Sequence, residues 1–216
     1  MQNNSIPLPS VEARHKAATL LARTARDFYS LGWMWGTSGN LSVRLSADPL
    51  IYMVTVSGRA KGELTPQDVV LLGTGGRVLG DGHGQPSAEA PVHEVVYRKF
   101  DAGAVFHVHT VMAGVVSEHF AARGGIRLQG LEMLKGLGHA QPDVEVTIPI
   151  IDNHADSEQI ALGLEKAAAP GCPGVLIKNH GLYAWGRDAF EARRHVEIFE
   201  YLFNWSYHVE LLRRAP

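Results

Sequence analysis

Leu20, Leu21, Ala25 and Phe28 fall on one side of a 3.6-residue period. That spacing predicts a helix that begins after Pro9, with Ser10 as its N-cap, and runs to about Leu31, where Gly32 ends it. The pattern then changes to short apolar runs, Leu41–Leu45, Leu50–Val56 and Val69–Leu72. Asp48-Pro49, Ser57-Gly58 and Thr65-Pro66 separate them as turn signals, so these runs read as strands. Gly75-Gly76 reads as a hairpin turn leading into Arg77-Val78-Leu79. Further on, Ala88–Phe100 predicts a helix, Ala104–His109 a strand, and Val111–Phe120 a second helix. Leu131–Leu137 reads as a short helix or turn. Glu145–Ile151 alternates like a strand, Ser157–Ala168 is amphipathic, Gly174–Lys178 is a short buried strand, and Asp188–Arg213 is a long closing helix. Strands mixed with helices, and no internal repeat or low-complexity linker, predict one layered α/β domain over residues 1–216. The order of strands in the sheet does not follow from this pattern.

Composition narrows the function classes. A chain of 216 residues can bury a substantial core, and 45% hydrophobic with 19% charged residues is ordinary for a soluble domain. The net charge of −2 and the lack of a long basic run argue against a nucleic-acid partner or an anionic membrane surface. The longest apolar run, Leu50–Val56, is far short of the roughly 20 residues that span a bilayer. Met1–Ser10 lacks the basic and apolar regions of a leader peptide. A single cysteine, Cys172, excludes an intrachain disulfide, and a cytoplasmic setting is expected.

Histidine is the unusual count, at 11. His107 and His109 close the apolar run Ala104-Val105-Phe106-His107-Val108-His109. In a strand, residues i and i+2 share a face, so both imidazoles project together. The competing reading makes one a core and the other a surface histidine, but burying both without a charge or metal leaves donors unmet. His180, just past the strand Gly174–Lys178 and followed by Gly181, is the best third donor. Three neutral imidazoles with an open position suit Zn²⁺, with Mn²⁺, Fe²⁺ or Co²⁺ as alternatives. His15, His195 and His208 read as surface or packing residues, and His83, His119, His139 and His154 as loop residues.

Three small-residue clusters precede the histidine strand: Gly36-Thr37-Ser38-Gly39-Asn40, Val56-Ser57-Gly58-Arg59 and Pro86-Ser87-Ala88. Consecutive backbone N–H groups in such loops form anion sites, and Ser87-Ala88 also precedes a helix. Each alone is equally an ordinary turn; together they suggest a phosphorylated substrate, with Arg59 and Lys61 as nearby positive charges. Two glutamates stand out as acid–base candidates. On their residue chemistry alone, Glu132 reads equally as a surface partner of Lys135, and Glu89 as a favourable charge at a helix start.

As a set, Gly39-Asn40-Leu41-Ser42, Ser57-Gly58, Pro86-Ser87-Ala88-Glu89, His107-Val108-His109 and Asn179-His180-Gly181 resemble the class II aldolase/adducin family, in order and separation. The resemblance covers about Gly32–Gly186. It implies an αβα domain on a mainly antiparallel sheet, one Zn²⁺ per subunit on His107, His109 and His180, and a homotetramer with active sites near subunit boundaries. It also implies substrate contacts from Asn40, Ser57, Gly58, Ser87 and Ala88, with Glu89 beside the substrate or as an extra metal ligand. The strings Glu132-Met133-Leu134-Lys135-Gly136 and His180-Gly181-Leu182-Tyr183-Ala184-Trp185-Gly186 resemble the family's dehydratase branch. That branch removes water from 5-methylthioribulose 1-phosphate to give 2,3-diketo-5-methylthiopentyl 1-phosphate in methionine salvage. The resemblance makes Glu132 the catalytic acid or base and the metal a Lewis acid. Trp33, Met34, Tyr201, Phe203 or Trp205 are candidates for an apolar wall at the methylthio end. A sugar-phosphate aldolase or epimerase is the first competitor; such aldolases use a tyrosine after the metal strand, and Thr110–Ile150 has none. An adducin-like interaction module without chemistry is the second, but its expected mark is loss of the metal histidines, and all three are present.

Overall fold

In the computed structural model, which describes residues 7–80, 84–141 and 143–214, the strands join one eight-stranded sheet. They are β1 (Asn40–Ala47), β2 (Leu50–Thr55), β3 (Val69–Gly73), β4 (Ala104–Val108), β5 (Gly125–Leu128), β6 (Val146–Ile151), β7 (Gly174–Ile177) and β8 (Gly181–Gly186). The order across the sheet is β3-β2-β1-β4-β8-β7-β6-β5. Neighbours are antiparallel except β6 with β7. The expected αβα architecture on a mainly antiparallel sheet is what forms. His83 and most of the stretch Met1–Ser10 lie outside the described residues.

Among the described residues, five α-helices cover the sheet: α1 (Val11–Ser30), α2 (Ala90–Phe100), α3 (Val111–Phe120), α4 (Ser157–Ala167) and α5 (Ala189–Arg214). Strand alternation splits the core into two layers. Leu41, Ile51, Phe106, Val108, Leu182 and Ala184 pack with α1, α3 and α5. Tyr52, Val54, Val105, Val175, Tyr183 and Trp185 pack with α2 and α4. A fully buried aromatic such as Phe28 or Phe106 contributes roughly 1.5–3 kcal/mol. No described helix is long and apolar enough to cross a membrane.

Local chemistry sets the helix starts. The Ser10 hydroxyl accepts from the Ala13 N–H at 3.1 Å, and Thr110 caps α3 through the Ala113 N–H at 3.0 Å. Helix α2 begins at Ala90, two residues later than the apolar pattern predicts. The preceding loop is still tied to the sheet there by a bridge between Val56 and Pro86, and the Ser87 hydroxyl accepts from the Glu89 N–H. Strand β4 likewise stops at Val108, one residue before His109, whose N–H turns to the Trp33 carbonyl at 2.9 Å.

Two strands escape the sequence pattern. β8 lies in the middle of the sheet with both faces buried, so its residues show no alternation, and glycines at both ends read as turns. β5 is a four-residue edge strand, too short to carry a period.

Candidate metal centre

The register of three adjacent strands builds the floor of the site. Asn40 of β1 pairs with His107 of β4, and His107 pairs with Tyr183 of β8. Directly opposed residues of antiparallel strands point to one face, here the face toward α2. The His107 ring stacks on the Tyr183 ring, with centroids 4.0 Å apart and planes 10° from parallel. Its Nδ1–H donates to the Leu182 carbonyl at 3.0 Å, which fixes the tautomer and leaves Nε2 bare.

His180 comes from the loop joining β7 to β8. Asn179 turns the chain there with φ of 53°, a left-handed conformation that asparagine tolerates. Gly181 follows, where an added Cβ would lie 2.3 Å from the Val108 carbonyl oxygen. Only glycine lets the loop come this close to β4. The His180 Nδ1–H donates to Asn153 Oδ1 at 3.1 Å, so its Nε2 is also bare.

The three imidazoles converge as the i, i+2 spacing predicts for the first two. His107 Nε2 lies 2.8 Å from His109 Nε2 and 3.3 Å from His180 Nε2. Glu89 joins them, with Oε2 at 3.4 Å from His107 Nε2 and Oε1 at 3.4 Å from His180 Nε2. One ligand atom from each of the four lies within 4.8 Å of every other. Burial pushes the His107 pKa well down, with His180 adding to the effect. Burial, then His107 and His180, lowers that of His109 to about 3. The His107 and His109 rings stay neutral, which is the form that binds a metal.

This donor set fits a divalent cation. With Nδ1 protonated on both rings, the Nε2 lone pairs of His107 and His180 face each other, and an ionised Glu89 brings only acceptors. A cation between them satisfies all three. A tetrahedral zinc with bonds of about 2.0–2.1 Å sets its ligand atoms about 3.3–3.4 Å apart. The His107–His180, His107–Glu89 and His180–Glu89 separations match that spacing, the His107–His109 pair is closer, and the four residues can chelate a divalent metal such as Zn²⁺.

The structure also gathers the three small-residue loops. The Val56–Pro86 bridge joins the second to the third, and Asn40 Nδ2 donates to Glu89 Oε2 at 2.6 Å, joining the first to the third. Lys61 ties the first to the second, its ammonium donating to the Thr37 carbonyl at 2.8 Å and the Arg59 carbonyl at 3.0 Å. The lysine is buried, and burial pushes its pKa down to about 8. Its place among these loops is the part that the sequence, seeing only a nearby charge, does not reveal.

Other residues land elsewhere. Glu132 lies outside the cluster, exposed and ion-paired with Lys135 at 2.7 Å. Met34 and Phe203 are fully buried in the α1–α3–α5 layer; Trp33 and Trp205 are partly buried, and Tyr201 is about half exposed. His195 is a satisfied core histidine on the Trp185 carbonyl. Sequence reasoning missed Asn153, Tyr183 and His93. Only His93 carried a signal, its position one helical turn after Glu89.

A model of the class II aldolase and adducin N-terminal domain matches residues 19–207. The chain belongs to the class II aldolase and adducin family. Relatives within this family include a methylthioribulose-1-phosphate dehydratase of a Sulfurihydrogenibium species, 43% identical over 192 residues and 89% of each chain. Another of the same name, from Persephonella marina, is 40% identical over 194 residues and 90% of each chain. Among solved structures, an L-fuculose 1-phosphate aldolase superposes with a TM-score of 0.76 at 23% identity, over 97% of this chain and 91% of that one. At that identity it shows the class II aldolase fold that this family member shares.

Proposed function

We propose that this chain removes water from 5-methylthioribulose 1-phosphate to give 2,3-diketo-5-methylthiopentyl 1-phosphate, as a metal-dependent hydro-lyase of methionine salvage. The observation that carries the reading is the four-ligand cluster of Glu89, His107, His109 and His180 in a chain 43% identical to a dehydratase of that name. His107, His109 and His180 hold one Zn²⁺ per subunit in this reading, and Glu89 stands beside it as a further ligand or as a substrate contact.

An ion held by these residues would supply Lewis-acid polarisation of the substrate's C2 carbonyl, which would make the C3 hydrogen acidic. The chain's own residues do the rest. The loops at Asn40, Ser57-Gly58 and Ser87-Ala88 receive the phosphate through backbone N–H groups, with Lys61 supplying a buried positive charge behind them. Glu132 takes the C3 proton or delivers one to the departing C4 hydroxyl, so that one C–H and one C–O bond break and water leaves. The resulting enol at C3 then tautomerises to the ketone. We place Glu132 at a subunit boundary of a homotetramer, where its exposed carboxylate faces a neighbouring copy's site. Exposed Trp35, Val111 and Phe190 are apolar surface that such an assembly covers.

The enzyme works in the cytoplasm in this reading, without a nucleic-acid or membrane partner. Product analysis tests the assignment against the aldolase alternative. Turnover of 5-methylthioribulose 1-phosphate to the diketone, with little cleavage of fuculose 1-phosphate or isomerisation of ribulose 5-phosphate, is expected. Efficient carbon–carbon cleavage overturns it.

A further inference from the structure

We propose that His93 is a positioning residue that, acting through Asn40, holds the Glu89 carboxylate against His107 and His180. The inference rests on the metal-centre reading above and adds to it a relay from the core of the sheet. His93 lies on α2, one turn past Glu89, and is fully buried. Tyr97, Ser42, His93, Asn40 and Glu89 form a continuous run of hydrogen bonds. Tyr97 bonds Ser42, Ser42 Oγ lies 2.6 Å from His93 Nδ1, His93 Nε2 bonds Asn40 Oδ1, and Asn40 Nδ2 lies 2.6 Å from Glu89 Oε2.

The direction of every bond follows from the carboxylate end. An ionised Glu89 only accepts, so Asn40 must present its NH₂ to Glu89 and its oxygen to His93. His93 must then carry its proton on Nε2. Burial pushes its pKa down to about 4, so the ring is neutral and Nδ1 is an acceptor. Ser42 gives its single proton to that Nδ1, its other acceptor, the Val105 carbonyl, being more distant at 3.5 Å. Ser42 in turn accepts from the Tyr97 hydroxyl, which burial keeps protonated.

Such a run has one stable polarity, and reversing the Asn40 amide would set its oxygen against the Glu89 carboxylate. Asn40, Ser42, His93 and Tyr97 are all buried, where apolar side chains of similar volume pack without any such requirement. What the polar set adds is a fixed amide pointing at Glu89. Tyr183 also turns its buried hydroxyl toward Glu89, outside this run of bonds.

The test measures zinc affinity by chelator competition and the visible absorption of the Co²⁺-substituted protein. His93→Leu is expected to weaken zinc binding by roughly 10–100-fold, the usual effect of losing an outer partner of a metal site, and to shift the cobalt bands. His93→Gln, which keeps an N–H toward Asn40, is expected to restore most of both. In a Glu89→Gln background, His93→Leu is expected to add no further loss, because the relay then has nothing left to aim. An unchanged affinity and spectrum in folded His93→Leu overturns the proposal. So does an equal loss with and without Glu89, which marks a general packing defect. Should His93→Leu fail to fold, Asn40→Ala carries the same expectations and the same contradiction. A wild-type protein that takes up neither zinc nor cobalt overturns the metal-centre reading itself, and this proposal with it.

Discussion

Asn40 and Glu89 are 49 residues apart in the chain, yet the Asn40 amide donates to the Glu89 carboxylate at 2.6 Å. That bond joins the start of a central strand to the start of a helix. It places a residue that resembles a phosphate contact in direct contact with the metal cluster. Asn40 serves two neighbours at once: its side-chain N–H donates to Glu89, while its Oδ1 meets His93 Nε2.

Within the cluster, His180 sits on a loop tip and is only partly buried, so its replacement is expected to disturb folding little. His180→Gln is expected to lower bound zinc from one per chain to well below that, with far-ultraviolet circular dichroism unchanged. Activity should fall by more than the roughly 10–100-fold typical of an outer-partner loss. Full zinc content in this variant, measured by atomic absorption, contradicts its assignment as a ligand.

The proposed acid–base role of Glu132 allows chemistry to be tested apart from binding. Glu132→Gln is expected to bind zinc and substrate normally and to lose about 10²–10⁴-fold in kcat, the range for removal of a general acid–base group. A variant with normal zinc content and full turnover refutes the role.

Lys61 is a buried cation whose ammonium donates to two backbone carbonyls and, among the described residues, forms no ion pair with a carboxylate. Lys61→Met is expected to raise KM for the phosphorylated substrate about 10–100-fold, equivalent to a charged contact of about 1.5–3 kcal/mol, with kcat affected much less. Burial lowers the Lys61 pKa to about 8, so the charge is present below that pH. The wild-type KM should therefore climb as pH rises through about 8, and Lys61→Met should not show that climb. Equal pH profiles for the two proteins contradict the assignment.

The elements with a period were legible in the sequence, and so was the core of the site. Helix α3 forms at Val111–Phe120, the span that the spacing predicts, and the His107–His109 pair converges although the strand ends at Val108. What stayed hidden depends on tertiary register. Glu89 has by its own chemistry only the look of a helix-start charge, and its place beside the metal was expected through the family resemblance alone; the turn of Pro86-Ser87-Ala88 back onto Val56 accompanies its approach to the histidines. Strand β8, buried on both faces, has no alternation to reveal it, and with it went the stacking of Tyr183 on His107. The branch-specific reading of Glu132 came from resemblance, since its chemistry within one chain is a surface pair with Lys135.

Glu200 links stability to pH. Its carboxyl on α5 is buried against Thr110, the cap of α3, and burial raises its pKa to about 7 from an ordinary value near 4.5. A pKa raised on folding means that the native state holds a proton that the unfolded chain has lost. The stability that Glu200 contributes is full below about pH 4.5 and is lost as pH rises through about 7. Glu200→Gln, compared with wild type at saturating zinc, should remove that part of the decline in urea midpoint between pH 5 and pH 8. An identical decline in both proteins shows that Glu200 is not its source.

The central claim is that the cluster of Glu89, His107, His109 and His180 makes this chain a metal-dependent dehydratase. The most direct test follows water loss from 5-methylthioribulose 1-phosphate before chelation, after chelation, and after zinc is returned. Diketone formation that stops with the chelator and recovers with zinc is the predicted result. Dehydration that continues undiminished in protein shown to be metal-free, or no dehydration by the zinc-loaded protein, contradicts the account.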